Sequence, residues 1–257
     1  MERIEILFPR LVYIFVSLII ITAAIIFIES TRERVEGYVP FFEDYYVYGY
    51  GEEPSVQEAL RDIHSRIVFI DPGHGGIDGG VVVAGVMEKD IVLAISLMVY
   101  DLIRASDAGI YPILSRREDV FVRPHDRADA GSAVADMIVS VHLNSFDMQS
   151  VYGTEVYFDA NQVLRSDLRL NMTSRQLAEI MQRNIVESAG SRDRGARNIH
   201  DHGFQFVLTT APDIPSVILE LGYLTNPAER ARLVTAEYQM LLAIGIYNGI
   251  REAFGIE

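Results

Sequence analysis

Four polar residues stand where chemistry could be done. His74 follows the apolar run Ile67–Ile70 and Asp71-Pro72-Gly73, and is embedded in glycines. His142 follows the apolar run Met137–Val141. Glu220 follows Ser216–Leu219, and Glu88 precedes a long helical pattern. Two imidazoles and a carboxylate form the nitrogen and oxygen donor set that zinc uses in catalytic sites. Three protein ligands leave a fourth position for water, whose pKa the metal lowers. A second carboxylate nearby can take the water's proton and pass it to a leaving nitrogen. Each residue alone has a plainer reading: a structural strand-end histidine, a favourable helix N-terminal charge at Glu88, a salt-bridge partner at Glu220. Their joint placement at element ends favours the metal.

For these residues to meet, the elements carrying them must share one edge. From Arg66 the pattern alternates strand and helix. Strands are expected at 67–71, 111–115, 137–141, 153–158, 205–208 and 216–219, and helices at 89–106, 124–135, 174–189, 227–234 and 237–254. The first helix has apolar residues at Ile91, Ala94, Ile95, Met98, Val99 and Leu102, at helical spacing. Alternating β and α elements imply an α/β fold with a twisted, mostly parallel sheet of about six strands and helices on both faces. In such a sheet the carboxyl ends of parallel strands line one edge, where sites form. A short return over the Gly-rich loop would bring Glu88 there too.

Composition narrows the function classes. The 257 residues carry a net charge of −14 and no basic stripe, which argues against nucleic acid as a partner. There is no cysteine, so any metal must be held by His, Asp or Glu. Leu11 to Ile28 is an uncharged, largely apolar run of 18 residues between Arg10 and Glu29, the lower bound for a membrane-spanning helix. It is longer than a signal-peptide core and lacks a small-residue cleavage pattern. We therefore expect one uncleaved N-terminal transmembrane helix within residues 1–30. Arg3 and Arg10 before the run nearly balance Arg32 and Arg34 after it, so orientation is weakly specified. Residues 31–65 read as an acidic, aromatic linker containing Tyr38, Phe41, Phe42, Tyr45, Tyr46, Tyr48 and Tyr50. Residues 66–257 are expected to form the domain that carries the four candidate residues, the catalytic domain if they act as described.

Taken together, Gly73-His74-Gly75-Gly76, Met87-Glu88-Lys89-Asp90, Ser140-Val141-His142-Leu143-Asn144 and Leu219-Glu220-Leu221-Gly222-Tyr223-Leu224-Thr225-Asn226-Pro227 resemble the motifs of the zinc-dependent N-acetylmuramoyl-L-alanine amidases of bacterial cell walls. The anchored short chain is similar to the spore-cortex type. The resemblance covers residues 66–255. It implies that His74, Glu88 and His142 are zinc ligands and that Glu220 is the catalytic glutamate. It further implies hydrolysis of the amide between N-acetylmuramic acid and L-alanine of the peptidoglycan stem peptide, outside the cytoplasm, by a single-pass membrane protein. The inferred N-in, C-out orientation follows mainly from that function. A protein activator is one of the partners the family admits. A non-cleaving, wall-binding scaffold of the same fold is the alternative, and a zinc peptidase of the stem peptide a third reading.

Departures from the family pattern are mild: Leu143 where many members have alanine, and Tyr223 and Thr225 in the motif after Glu220. Some members carry a helical insertion that plugs the site. Asp159 to Met172 is a short polar segment at that place, so no large plug is expected, although Asp167 or a neighbouring acid could cap the metal. Arg116, Arg127 and Asn144 occupy recurring positions, open to substrate binding or to structural ion pairs. His125 reads as a surface residue, and the His200–His202 pair as a loop feature rather than a zinc site. The glycines at 73–80 lack the spacing and the following Gly-Lys-Ser/Thr of a phosphate loop.

Overall fold

The computed structural model describes residues 66–201 and 211–256. The expected span Leu11–Ile28, the linker to residue 65 and the short strand expected at 205–208 lie outside the described residues. Among those described, no helix is long and apolar enough to cross a membrane.

The expected elements that fall among the described residues form, with boundaries shifted by a few residues. In chain order they are β1 (Arg66–Pro72), β2 (Val82–Val83), β3 (Val86–Met87), α1 (Glu88–Arg104), β4 (Ile110–Leu114), α2 (Pro124–Val134), β5 (Met137–Asn144), β6 (Thr154–Phe158), α3 (Ser174–Ala189), β7 (Asp193–Asn198), β8 (Ser216–Tyr223), α4 (Pro227–Leu233) and α5 (Ala236–Ala253). The main sheet has six strands in the order β4-β1-β5-β8-β6-β7. Strands β4, β1, β5 and β8 are mutually parallel. Strand β6 runs antiparallel to β8, and β7 runs parallel to β6. The sheet is thus mixed, and β7 is an addition to the expectation. Its sequence, Asp-Arg-Gly-Ala-Arg-Asn, lacks the apolar alternation of a strand because it closes the sheet as an edge.

Side chains alternate across the sheet and divide its two faces. Val68, Ile70, Val139, Val141, Val217 and Leu219 pack with the apolar faces of α1, α3 and α5 in the main core. The opposite face carries Ile67, Phe69 and Ile138, and α2 lies so close to it that a Cβ on Gly131 would come within 3.0 Å of Ile138 and Phe69 side-chain atoms. Helix ends are closed by local chemistry. Thr173 and Gln176 form a reciprocal capping box at α3, Gly190 ends that helix in the left-handed region, and Asn226 and Thr235 cap α4 and α5.

Helices α3 and α5 approach backbone to backbone at Gly245. A Cβ there would sit 2.6 Å from Ile185 Cα and 2.9 Å from the Asn184 carbonyl oxygen. Alanine is the better helix former by about 0.8–1.0 kcal/mol, but overpacking rigid backbone costs about 1–3 kcal/mol. Gly245→Ala is therefore expected to destabilise by roughly 1–2 kcal/mol, seen as a lower urea midpoint at unchanged m-value. A midpoint at or above the wild type would show that the helices can separate freely.

Candidate metal centre

The Gly-rich turn after β1 holds His74 in the left-handed region, at φ 59°, a conformation uncommon for a residue with a Cβ and frequent at functional sites. Its neighbours make room. A Cβ on Gly73 would lie 2.2 Å from the His142 ring, and one on Gly80 would lie 2.5 Å from Glu88 Oε2 and 2.6 Å from His74 Cδ2. Both positions need glycine because the other site residues occupy that space. Glu88 is the first residue of α1, rather than a residue preceding it. The β2–β3 hairpin, absent from the sequence expectation, turns the chain back so that α1 begins beside the loop.

These elements bring His74, Glu88 and His142 together. His74 Nε2 lies 3.1 Å and His142 Nδ1 3.0 Å from Glu88 Oε1, and the imidazole centroids are 4.9 Å apart, edge to face. One donor atom from each residue lies within 4.8 Å of the other two. A tetrahedral ion with bonds of about 2.0–2.1 Å has ligand-to-ligand edges of roughly 3.3 Å, so the donor set fits zinc. Asp78 accepts a hydrogen bond from His74 Nδ1 at 2.9 Å, which leaves Nε2 as the lone-pair nitrogen facing the cluster. Glu88 is almost fully buried, and it accepts the Leu143 amide at Oε1 (2.9 Å) and the Val81 amide at Oε2 (2.8 Å). Burial alone would raise its pKa. Hydrogen bonds and charge from His142 and His74 outweigh burial and hold the carboxyl far below its usual range. Burial likewise opposes the charged form of His74, and Glu88 and then Asp78 raise its pKa in net.

Glu220 sits within β8 rather than past its end, because that strand continues to Tyr223. Parallel pairing sets it opposite His142, so the two side chains share a face. Its Oε2 is buried without a hydrogen-bond partner, a cost a folded protein rarely carries without a use. Burial, then the charges of Glu88 and Glu155, raise its pKa well above the ordinary value.

Glu155, which the sequence reading did not single out, lies across from Glu220 in the antiparallel β6–β8 pair. Its Oε2 accepts Arg194 Nε at 3.0 Å and lies 2.8 Å from Arg197 Nε. Its Oε1 accepts Tyr223 Oη at 2.6 Å, Asn144 Nδ2 at 2.8 Å and Tyr157 Oη at 3.2 Å. A glutamate as the second residue of the short strand Thr-Glu-Val-Tyr-Phe was the available signal.

The remaining polar residues resolve into supports. Arg116 is buried and donates to the carbonyls of Pro72, Gly73, Lys89 and Glu118, bracing both segments that carry His74 and Glu88. Arg127 pairs with both oxygens of Asp71 at 3.0 Å, where Ser115 and Ser140 also donate. Burial would raise the Asp71 pKa, but Arg127 and the two hydroxyls lower it in net. Neither arginine is free for a substrate carboxylate. Asp167 does not cap the centre. It pairs with Arg165, whose Nη1 donates to Ser132, and the same segment binds the start of β8 through Gln162. Because β6 runs antiparallel, the chain leaves it at the opposite edge of the sheet. His125 is exposed as expected, His200 hydrogen-bonds Asp159 at 2.7 Å, and His202 lies outside the described residues.

Comparison with known proteins agrees with this geometry. A family profile described as N-acetylmuramoyl-L-alanine amidase matches residues 68–252. The uncharacterized protein YqiI of Bacillus subtilis (strain 168) is 39% identical over 194 residues, spanning 75% of this chain and 87% of that one. Among solved structures, an N-acetylmuramoyl-L-alanine amidase from Clostridium difficile 630 superposes with a TM-score of 0.66 at 29% identity, covering 74% of this chain and 97% of that one. The CwlD amidase from Clostridioides difficile, solved in complex with the GerS lipoprotein, gives 0.62 at 27% identity and covers 75% of this chain and 100% of its own.

Proposed function

This chain belongs to the N-acetylmuramoyl-L-alanine amidase family, and from that premise we propose that it hydrolyses the amide between N-acetylmuramic acid and L-alanine in peptidoglycan, with Glu220 as the proton-transfer group. The observation that carries the reading is the convergence of His74, Glu88 and His142 beside a buried carboxylate oxygen that has no partner. His74, Glu88 and His142 would hold a zinc ion, which when bound polarises the lactyl carbonyl and makes water acidic. Asp78 keeps His74 in the tautomer that can bind, and Arg116 keeps the two ligand-bearing segments in register. Glu220 takes the proton of the attacking water and returns it to the alanine nitrogen as the amide bond breaks. Its raised proton affinity suits a group that must both accept and donate.

The uncharged run Leu11–Ile28 supports a single-pass anchor, with residues 31–65 as a linker and residues 66–257 as the catalytic domain outside the cytoplasm, where peptidoglycan lies. The relative solved in complex with a lipoprotein supports a protein partner for this chain, whose proposed role here is that of an activator. Purified wall digested by the zinc-loaded chain should yield new N-terminal alanine. Its absence, with intact muropeptides by mass spectrometry, would overturn the assignment. New amines on later stem-peptide residues would indicate a peptidase instead.

A further inference from the structure

An open cleft of ≈ 350 Å³ is lined by Val83, Ser145, Phe146, Asp147, Gln149 and Thr225. Its walls grow out of the strands that carry the proposed chemistry. Ser145 to Gln149 continue from β5 just after His142, and Thr225 follows the end of β8, which bears Glu220. The walls are tied to each other. The Phe146 amide donates to Thr225 Oγ1 at 3.0 Å, Asn226 Nδ2 to the Gln149 carbonyl at 2.8 Å, and the Leu224 amide to the Asn144 carbonyl at 3.0 Å. The cleft is therefore preformed, as ligand sites usually are.

Its charge is unbalanced. Asp147 is the one ionisable residue in the lining, and among the described residues no basic side chain pairs with it. Phe146 is half exposed at the wall and Val83 partly exposed, offering apolar surface beside that carboxylate. An aliphatic amine matches this pairing of an apolar wall and an anion. A peptidoglycan stem peptide is otherwise rich in carboxylates, which Asp147 repels, and its sugars are uncharged. The one cationic group it offers is the side-chain amine of the diamino acid at the third position.

Resting on the amidase reading above, we infer that this cleft is a specificity subsite for the stem peptide, in which Asp147 binds the free side-chain ammonium of the third residue while Phe146 and Val83 cover its methylenes. The chain then distinguishes stem peptides whose amine is free from those in which it is acylated, as it is in a cross-link.

The test uses the full-length zinc-loaded chain and three soluble substrates: N-acetylmuramoyl-L-alanyl-D-isoglutamine, the same extended by L-lysine, and the same extended by Nε-acetyl-L-lysine. At low salt, kcat/KM should favour lysine over acetyl-lysine by about tenfold, the scale of one charge-assisted contact. The ratio should shrink as salt screens the pair. Asp147→Asn should bring it to about one, and Asp147→Lys should invert it. Equal rates on the two extended substrates in the wild type, or a preference that survives Asp147→Asn, would overturn the subsite. Failure to cleave any of the three would overturn the amidase reading itself, and the subsite with it.

Discussion

Glu220→Gln is expected to bind zinc as the wild type does and to cleave muropeptides about 10²–10⁴-fold more slowly, the usual contribution of a positioned acid–base group. Glutamine fills the same space in β8 and removes only the capacity to carry a proton. The three donor residues lie on other segments and keep their mutual contacts. Zinc content by metal analysis and kcat on a soluble muropeptide separate the two effects. Undiminished turnover would remove Glu220 from the chemistry.

The same variant has a second signature in the metal-free protein. Burial, with Glu88 and Glu155 adding repulsion, raises the Glu220 pKa above its ordinary 4.5. A folded pKa above the unfolded one means that the native state holds the extra proton. The associated stability is complete below the ordinary carboxyl value and is lost as pH rises through the folded pKa. Glutamine cannot ionise. Metal-free Glu220→Gln should match the wild type at about pH 4 and melt at a higher temperature at neutral pH. Identical melting curves at both pH values would show that the carboxylate is not the buried charge described above.

Glu88→Ala is expected to abolish zinc binding and to destabilise the metal-free domain as well. The carboxylate is the common partner of both imidazoles and of the Leu143 and Val81 amides. Each buried donor left unpaired costs about 1–3 kcal/mol, so the fold should lose several kcal/mol before the metal's own contribution is counted. Denaturant unfolding with chelator present measures the first loss. Zinc-dependent stabilisation, expected in the wild type and absent in the variant, measures the second. Zinc protection that persists in Glu88→Ala would mean the ion binds elsewhere.

Glu155 shows why part of the site was hard to read. The alternation over Gly153–Phe158 identified the strand, but nothing local places Glu155 opposite Glu220. That pairing arises because β6 inserts between β8 and β7, antiparallel to β8 and parallel to β7, both of them later in the chain. The same reversal carries Asp159 to Met172 to the far edge and removes Asp167 from the His74–Glu88–His142 cluster. Strand direction depends on which neighbour completes the sheet's hydrogen bonds, a long-range choice that periodicity does not encode.

By itself the sequence determined the alternating α/β order and the absence of thiolate ligands, and it offered His74, His142 and Glu220 as candidates, because short apolar strands followed by one polar residue leave a local pattern; Glu88 stood out only at a helix start and through the family resemblance. Tertiary structure alone decided that a ring nitrogen of each histidine lies within 3.1 Å of Glu88 Oε1, that Arg116 and Arg127 are braces, that Glu155 is the charged neighbour of Glu220, and that the cleft beside Asp147 exists. Each of those depends on atoms from segments distant in the chain meeting within hydrogen-bond range, and only the packing of the whole sheet brings them there.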